Sequence, residues 1–149
     1  MAKPFSSLIK DLRAAAALAA EETARETVYE LKRRGPYWDG YFEMAWEVQL
    51  GDVNIPADQK GAKASPRPQA RQITPVDIPA DRTNSLRGYT IGNRMEYRRI
   101  AMDLEPGRIK NTEGTAPEGW YETFIQGGEL LRVVADGVRA GFVKRGFAK

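Results

Sequence analysis

Phe5, Leu8, Ile9, Leu12, Ala16, Ala19 and Ala20 recur at three- and four-residue steps, the spacing that gathers side chains on one face of an α-helix. The pattern predicts a long helix from about Phe5 to Arg34. Ser6 or Ser7 can cap its start, Asp11 lies in its opening turns, and Lys32, Arg33 and Arg34 suit the negative end of the helix dipole. Gly35 and Pro36 then stop it, the glycine as a left-handed cap and the proline because it cannot continue a helix. The middle of the apolar face is alanine, so another backbone can approach closely there. Glu30 and Arg34 add a correctly ordered i,i+4 pair.

After Gly35 the rhythm changes. The run from Gly35 to Phe42 is a loop dense in aromatics, with Tyr37, Trp38, Tyr41 and Phe42 between or beside its glycines. Such rings either plug the core beneath the helix end or present an anchor to a partner. Met44, Trp46, Val48 and Leu50 next alternate with Glu43, Ala45, Glu47 and Gln49, which predicts a half-buried strand ended by Gly51 and Asp52. From there to about Pro79 periodicity is lost and prolines recur, so residues 52–80 are expected to be an extended loop or arm. Gly88–Asn93 reads as a short strand closing in a turn. Tyr97, Ile100, Ala101 and Leu104 give a short helix that stops at Pro106 and Gly107.

Thr115, Pro117 and Glu118 form a capping box. It opens a C-terminal helix predicted from about Pro117 to Val143, with Trp120, Phe124, Gly127, Leu131, Val134, Val138 and Phe142 on one stripe. Each interior glycine costs a helix up to about 1 kcal/mol relative to alanine. A helix holding Gly127, Gly128, Gly137 and Gly141 therefore bends near Gly127–Gly128 or sets glycine where backbones meet. Together these elements predict an α+β fold in a single domain spanning residues 1–149. A long N-terminal helix and a C-terminal helix would pack on a small, mainly antiparallel sheet, with a long central loop.

Composition narrows the chemistry. The 149 residues include no histidine and no cysteine, which removes the usual neutral-pH acid–base groups, activated nucleophiles and transition-metal ligands. The serines lie in no nucleophile elbow, the glycines match no phosphate-binding fingerprint, and the close carboxylates Glu21–Glu22 and Asp103–Glu105 suit solvated charge or salt bridges. No enzyme activity, cofactor or metal is expected. The longest apolar stretch, Ala14 to Ala20, is too short to span a membrane, and charges at Lys10, Asp11 and Arg13 interrupt any signal-peptide core. A cytoplasmic site of synthesis and no membrane association follow as expectations.

Net charge is +3. Lys60, Lys63, Arg67 and Arg71 form one acid-free basic stretch, and Arg139, Lys144, Arg145 and Lys149 another. These are either solvated faces or nucleic-acid contacts. The aromatics and the basic residues occupy different segments, and no helix-turn-helix, ribonucleoprotein or zinc-finger signature is present.

Two runs carry a family resemblance. The first is Gly35-Pro36-Tyr37-Trp38-Asp39-Gly40-Tyr41-Phe42-Glu43-Met44-Ala45-Trp46, and the second extends from Ile91-Gly92-Asn93 through Met95-Glu96-Tyr97 to Glu105-Pro106-Gly107. In these runs the chain resembles the small tail-completion or head–tail joining proteins of tailed bacteriophages. It departs from them in carrying Glu43 and Ala45 where an arginine and a serine are usual, and in placing Thr74-Pro75-Val76-Asp77 inside the loop.

The resemblance implies a ring-forming α+β subunit, commonly a hexamer, of the virion's tail–neck junction. Such a subunit terminates the tail tube and joins it to the neck and head. Its partners would be copies of itself, the tail tube protein and neck or connector proteins, with genomic DNA passing through. On this basis Tyr37, Trp38 and Tyr41 would lie near a subunit boundary, and Lys60, Lys63, Arg67 and Arg71 on an arm reaching a neighbour. Arg98, Arg99 and Arg108 would line the channel. The alternatives are a small basic nucleic-acid-binding protein or another neck ring such as a stopper.

Overall fold

Long-range packing, more than local caps, sets where the elements begin and end. The computed structural model describes residues 4–61, 63, 67, 69–102 and 116–147. Helix α1 runs Phe5–Arg34, a short helix α2 runs Tyr41–Met44, and strands β1 (Trp46–Leu50) and β2 (Tyr89–Asn93) follow. Helices α3 (Arg98–Ala101), α4 (Trp120–Gln126) and α5 (Glu129–Lys144) complete the order. The fold is α+β: a long N-terminal helix and a C-terminal helix with a two-stranded antiparallel sheet.

The sheet pairs Trp46 with Asn93, Val48 with Ile91 and Leu50 with Tyr89. Trp46 and Val48 are buried on its inner face, as the alternation predicts. Met44 is not part of that strand. It lies in the last position of α2 and is exposed, while Glu43, one residue earlier, is buried. A single helical turn inverts the in–out order that an extended chain would have given these residues.

The ends of α1 also differ from expectation. Ser6 and Ser7 already lie inside the helix; the Ser7 hydroxyl donates to the Pro4 carbonyl at 2.9 Å, and no side chain caps the start. Gly35 takes an extended conformation (φ −64, ψ 168), not a left-handed one. What demands glycine there is space: a Cβ would stand 2.9 Å from the Leu31 carbonyl oxygen and 3.2 Å from the Trp120 ring.

The C-terminal helix is broken in two, as its paired glycines suggest. Gly128 takes a positive φ of 84° between α4 and α5, a conformation that costs glycine little. Beyond the break, α5 lies antiparallel on α1 at backbone contact distance. A Cβ on Gly137 would come within 2.5 Å of the Thr23 Cα, and one on Gly141 would collide with the Ala19 backbone. Alanine on one helix and glycine on the other are what make this approach possible. The capping residue Thr115 lies outside the described residues.

The core gathers Ala24, Val28 and Leu31 of α1, Phe42, Trp46 and Val48, Met95, Trp120 and Phe124, with Val133 of α5. Phe124 is fully enclosed. The first part of the α1 face is not covered: Phe5, Leu8, Ile9 and Leu12 are exposed, and burial starts at Ala15. Leu8 and Asp11 share a concavity with Arg145, Gly146 and Phe147 just past the last helix, and these leave the apolar turns largely in solvent.

The described parts of the 52–80 segment are extended chain, as expected, but they are not a free arm. Ile55 and Ile78 are buried, Val76 packs against the core, and Gln69 donates its amide N–H to the Trp38 carbonyl at 2.8 Å. Gln59 makes a parallel bridge to Met95. Residues 69–79 thus act as a strap across the end of α1.

Candidate interaction surface

The aromatic segment serves the core and the surface at once. Gly40, at φ 88°, turns the chain so that the Tyr37 ring folds back beneath it. Tyr37 and Phe42 are buried, Trp38 is half-buried and Tyr41 is exposed. Phe42 meets Trp46 edge-on at 5.8 Å and stacks with Tyr97 at 6.1 Å. Burial, with the Asp39 charge nearby, pushes the Tyr97 phenol up to about 12.

Arg71 folds back onto the end of α1. Its guanidinium donates to the carbonyls of Lys32 at 2.8 Å, Arg33 at 2.9 Å and Gly35 at 2.8 Å, and lies 5.2 Å from the Tyr37 ring centroid. It closes the C-terminal end of α1, where helix carbonyls otherwise lack donors. Burial lowers its pKa. Lys60, Lys63 and Arg67 are exposed, as is the outer part of Arg71; Arg71 differs in clamping the helix end.

Beside the clamp lies a polar cluster that the residue pattern did not reveal. Lys32 Nζ donates to Glu43 Oε1 at 3.0 Å and to Thr74 Oγ1 at 2.8 Å and the Thr74 carbonyl at 3.0 Å. The Thr74 amide and hydroxyl in turn donate to Glu43, at 2.8 and 3.0 Å. Lys32 is therefore not a solvated end-of-helix charge. Thr74-Pro75-Val76-Asp77 stood out in the sequence only as a fragment out of place in the family resemblance, not as a partner for Lys32. Glu43 gave no warning, because an acid on the polar side of an apparent strand is ordinary.

Of the residues assigned to a channel, Arg98 is half-buried and holds the Ile55 and Asn93 carbonyls at 2.9 and 2.8 Å. Arg99 is exposed, and Arg108 lies outside the described residues. Arg98 therefore stitches the 52–61 segment to the end of β2. In the loop before β2, Asp81 gathers the Thr83 and Ser85 hydroxyls and the Leu86 amide, at 2.9, 3.1 and 2.9 Å. That ring of donors holds Asn84 and Leu86 at φ of 51° and 56°.

An apolar concavity runs along α1. Ala16, Ala20 and Thr23 form its floor, Val134, Val138 and Phe142 one wall, and Tyr89 and Ile91 the other, enclosing about 470 Å³. The sequence marked every alanine here, but the walls come from β2 and α5 and could not be placed without the fold. Among the described residues no group of three or more histidine, cysteine or carboxylate side chains converges, and no helix is long and apolar enough to cross a membrane. No protein-family model, curated protein or solved structure matches this chain.

Proposed function

We propose that this chain is a structural virion subunit of a tailed bacteriophage. In this assignment it forms a ring at the head-proximal end of the tail, ends tube growth and joins the tube to the neck, with no catalytic role. The observation that carries it is the union of the two runs that resemble tail-completion proteins. Far apart in sequence, they meet as one unit: Trp46 pairs with Asn93, the Asn93 amide donates to the Phe42 carbonyl at 2.8 Å, and Phe42 stacks on Tyr97. A resemblance spread over two runs gains weight when both halves build the same piece of fold.

The surface supports an assembly part as well. Large apolar side chains stand exposed on α1, and patches of that kind mark sites of association. Trp38 and Tyr41, with Lys60, Lys63 and Arg67, would face neighbouring subunits or the tube. Arg71 and Tyr37 would act through the shape they give that face. Arg99 is the channel candidate with an exposed side chain, while Arg98 would help to hold the wall behind it.

Light scattering of the purified protein across ionic strength, with and without tail tube protein, tests the assignment. A ring mass, alone or induced by the tube, supports it. A monomer indifferent to the tube but shifted by DNA at low salt would replace it with a nucleic-acid-binding module.

A further inference from the structure

One face of α1 carries two opposite textures. Phe5, Leu8, Ile9 and Leu12, at i, i+3, i+4 and i+7, are 76%, 47%, 39% and 48% exposed. Four residues beyond Leu12 the same face becomes Ala16, Ala20 and Thr23, the floor of the 470 Å³ groove. Among the described residues, bulk is presented that the fold covers only in part, Leu8 lying beside Arg145, Gly146 and Phe147, and room is left that none of them fills.

Charge divides along the same line. Lys10 and Arg13 flank the bulky turns against the single acid Asp11, whereas Glu21, Glu22 and Glu26 flank the small-residue turns against Arg25. Glu21 and Glu22 already engage Arg25, and Glu22 also engages Lys144 at 2.9 Å; on α1 itself three acids still stand against one base. One half of the helix surface is bulky and basic, the other hollow and acidic.

We propose that the groove is occupied by a second copy of this chain, whose α1 seats Phe5, Leu8, Ile9 and Leu12 over Ala16, Ala20 and Thr23. This is a helix-in-groove contact. The alanine floor lets the two backbones approach, the large side chains fill the space between Val138 and Tyr89, and Lys10 and Arg13 are drawn toward the acids beyond the floor. Donor and acceptor are different stretches of one chain, so each copy can give its tip to one neighbour and its groove to another. Such a heterologous contact closes into a ring when the rotation permits. We place it within the ring proposed above, on which the head-to-tail repeat rests; the contact itself rests on the size and charge of these two surfaces.

A chain without cysteine makes the test direct. Leu8→Cys and Ala20→Cys proteins are prepared separately, mixed under mild oxidation and run without reductant. A two-chain band in the mixture is expected, together with a ladder from the double variant. Pairing Leu8→Cys with Glu122→Cys, an exposed position on α4, should give no band above background. Leu8→Glu with Leu12→Glu changes two exposed positions, so the far-ultraviolet spectrum should hold while the mass falls to that of one chain.

Absence of the cross-link in a protein that still forms rings would overturn the contact and leave the ring. A cross-link within a simple dimer would support the contact and remove the ring. A wild-type monomer with no cross-link would remove both. Binding to anionic phosphatidylserine vesicles that the double glutamate variant loses, with no cross-link, would overturn the contact in favour of a membrane-facing tip.

Discussion

The Lys32 ammonium lies 3.0 Å from the Glu43 carboxylate with both side chains almost wholly removed from water, 2% and 1% exposed. Thr74 satisfies both partners, accepting from one and donating to the other. A buried pair so arranged adds little over an apolar pair of equal volume, but removing one member strands the other charge. Lys32→Ala or Glu43→Ala should each cost about 3–5 kcal/mol, and the double change to Met and Leu should cost less than either. Urea unfolding midpoints measure this. Equal midpoints for wild type and Glu43→Ala would mean that water reaches the ammonium.

Gly141 sits where α5 meets the Ala19 backbone. Gly141→Ala should push the helices apart and cost about 1–3 kcal/mol. At Gly128 nothing lies within 4 Å, but φ is 84°, so Gly128→Ala should cost only the backbone strain of about 1–2 kcal/mol. Combining Gly141→Ala with Ala19→Gly should recover little, because the nearest atoms are the Ala19 Cα and backbone nitrogen, at 2.3 and 2.4 Å, which glycine keeps. Amide exchange separates the two causes: it should quicken along the α1–α5 seam in Gly141→Ala and only at the α4–α5 junction in Gly128→Ala.

Arg71 closes a helix that its own neighbours leave open. Arg71→Ala should cost about 1–2 kcal/mol, the scale of a lost cap or charged hydrogen bond. Its signature should be local: faster hydrogen exchange in the last turn of α1 and in the strap, with the α1–α5 contact unchanged. Arg71→Lys should recover little, because a single ammonium cannot bridge three carbonyls in the guanidinium's fixed fork.

Stability should be level through neutrality, because no histidine is present to titrate there. Acid is different. Hydrogen bonds from Arg33 and then Arg34 hold the Glu30 carboxyl below its ordinary 4.5, outweighing burial. At Glu22 burial is the largest influence and raises the value, yet Lys144 and Arg25 together bring it below 4.5. Each group binds its proton less tightly folded than unfolded. Its contribution is present above the unfolded value and disappears as pH falls through the lowered folded one.

Alkali has the opposite sign. Tyr97 holds its proton up to about 12 in the fold against 10.0 unfolded, so that stabilisation is lost as pH rises across this interval. Thermal melts across pH should show both flanks, and a step near pH 6.5, the ordinary histidine value, would contradict the assignment.

How far the residues announce this structure depends on the distance over which the deciding contact acts. The bounds of α1 follow from its three- and four-residue steps and from Gly35–Pro36, and the break in the last helix follows from Gly127–Gly128. The glycine–alanine seam between α1 and α5 was legible in outline, since small residues have few other reasons to populate both stripes. Met44 was misplaced because one helical turn and one strand repeat can share an alternation. Burial of Glu43 depends on Lys32 and Thr74, 11 and 31 residues away, and no local pattern carries that. Arg71 looked like part of a basic run for the same reason: its acceptors are backbone carbonyls, which leave no trace in side-chain chemistry.

The strap that carries Arg71 and Thr74 also sets an order of events at the ribosome. The helix it completes is made first, yet Thr74 follows Lys32 by 42 residues. Until that stretch emerges, the Lys32 charge has only Glu43 to face and the terminal carbonyls only water, so the last turn of the helix should fray. Pulse-labelling of stalled nascent chains should show that turn protected only after the strap has left the exit tunnel. A chain of this design cannot finish its first element before its middle has been translated.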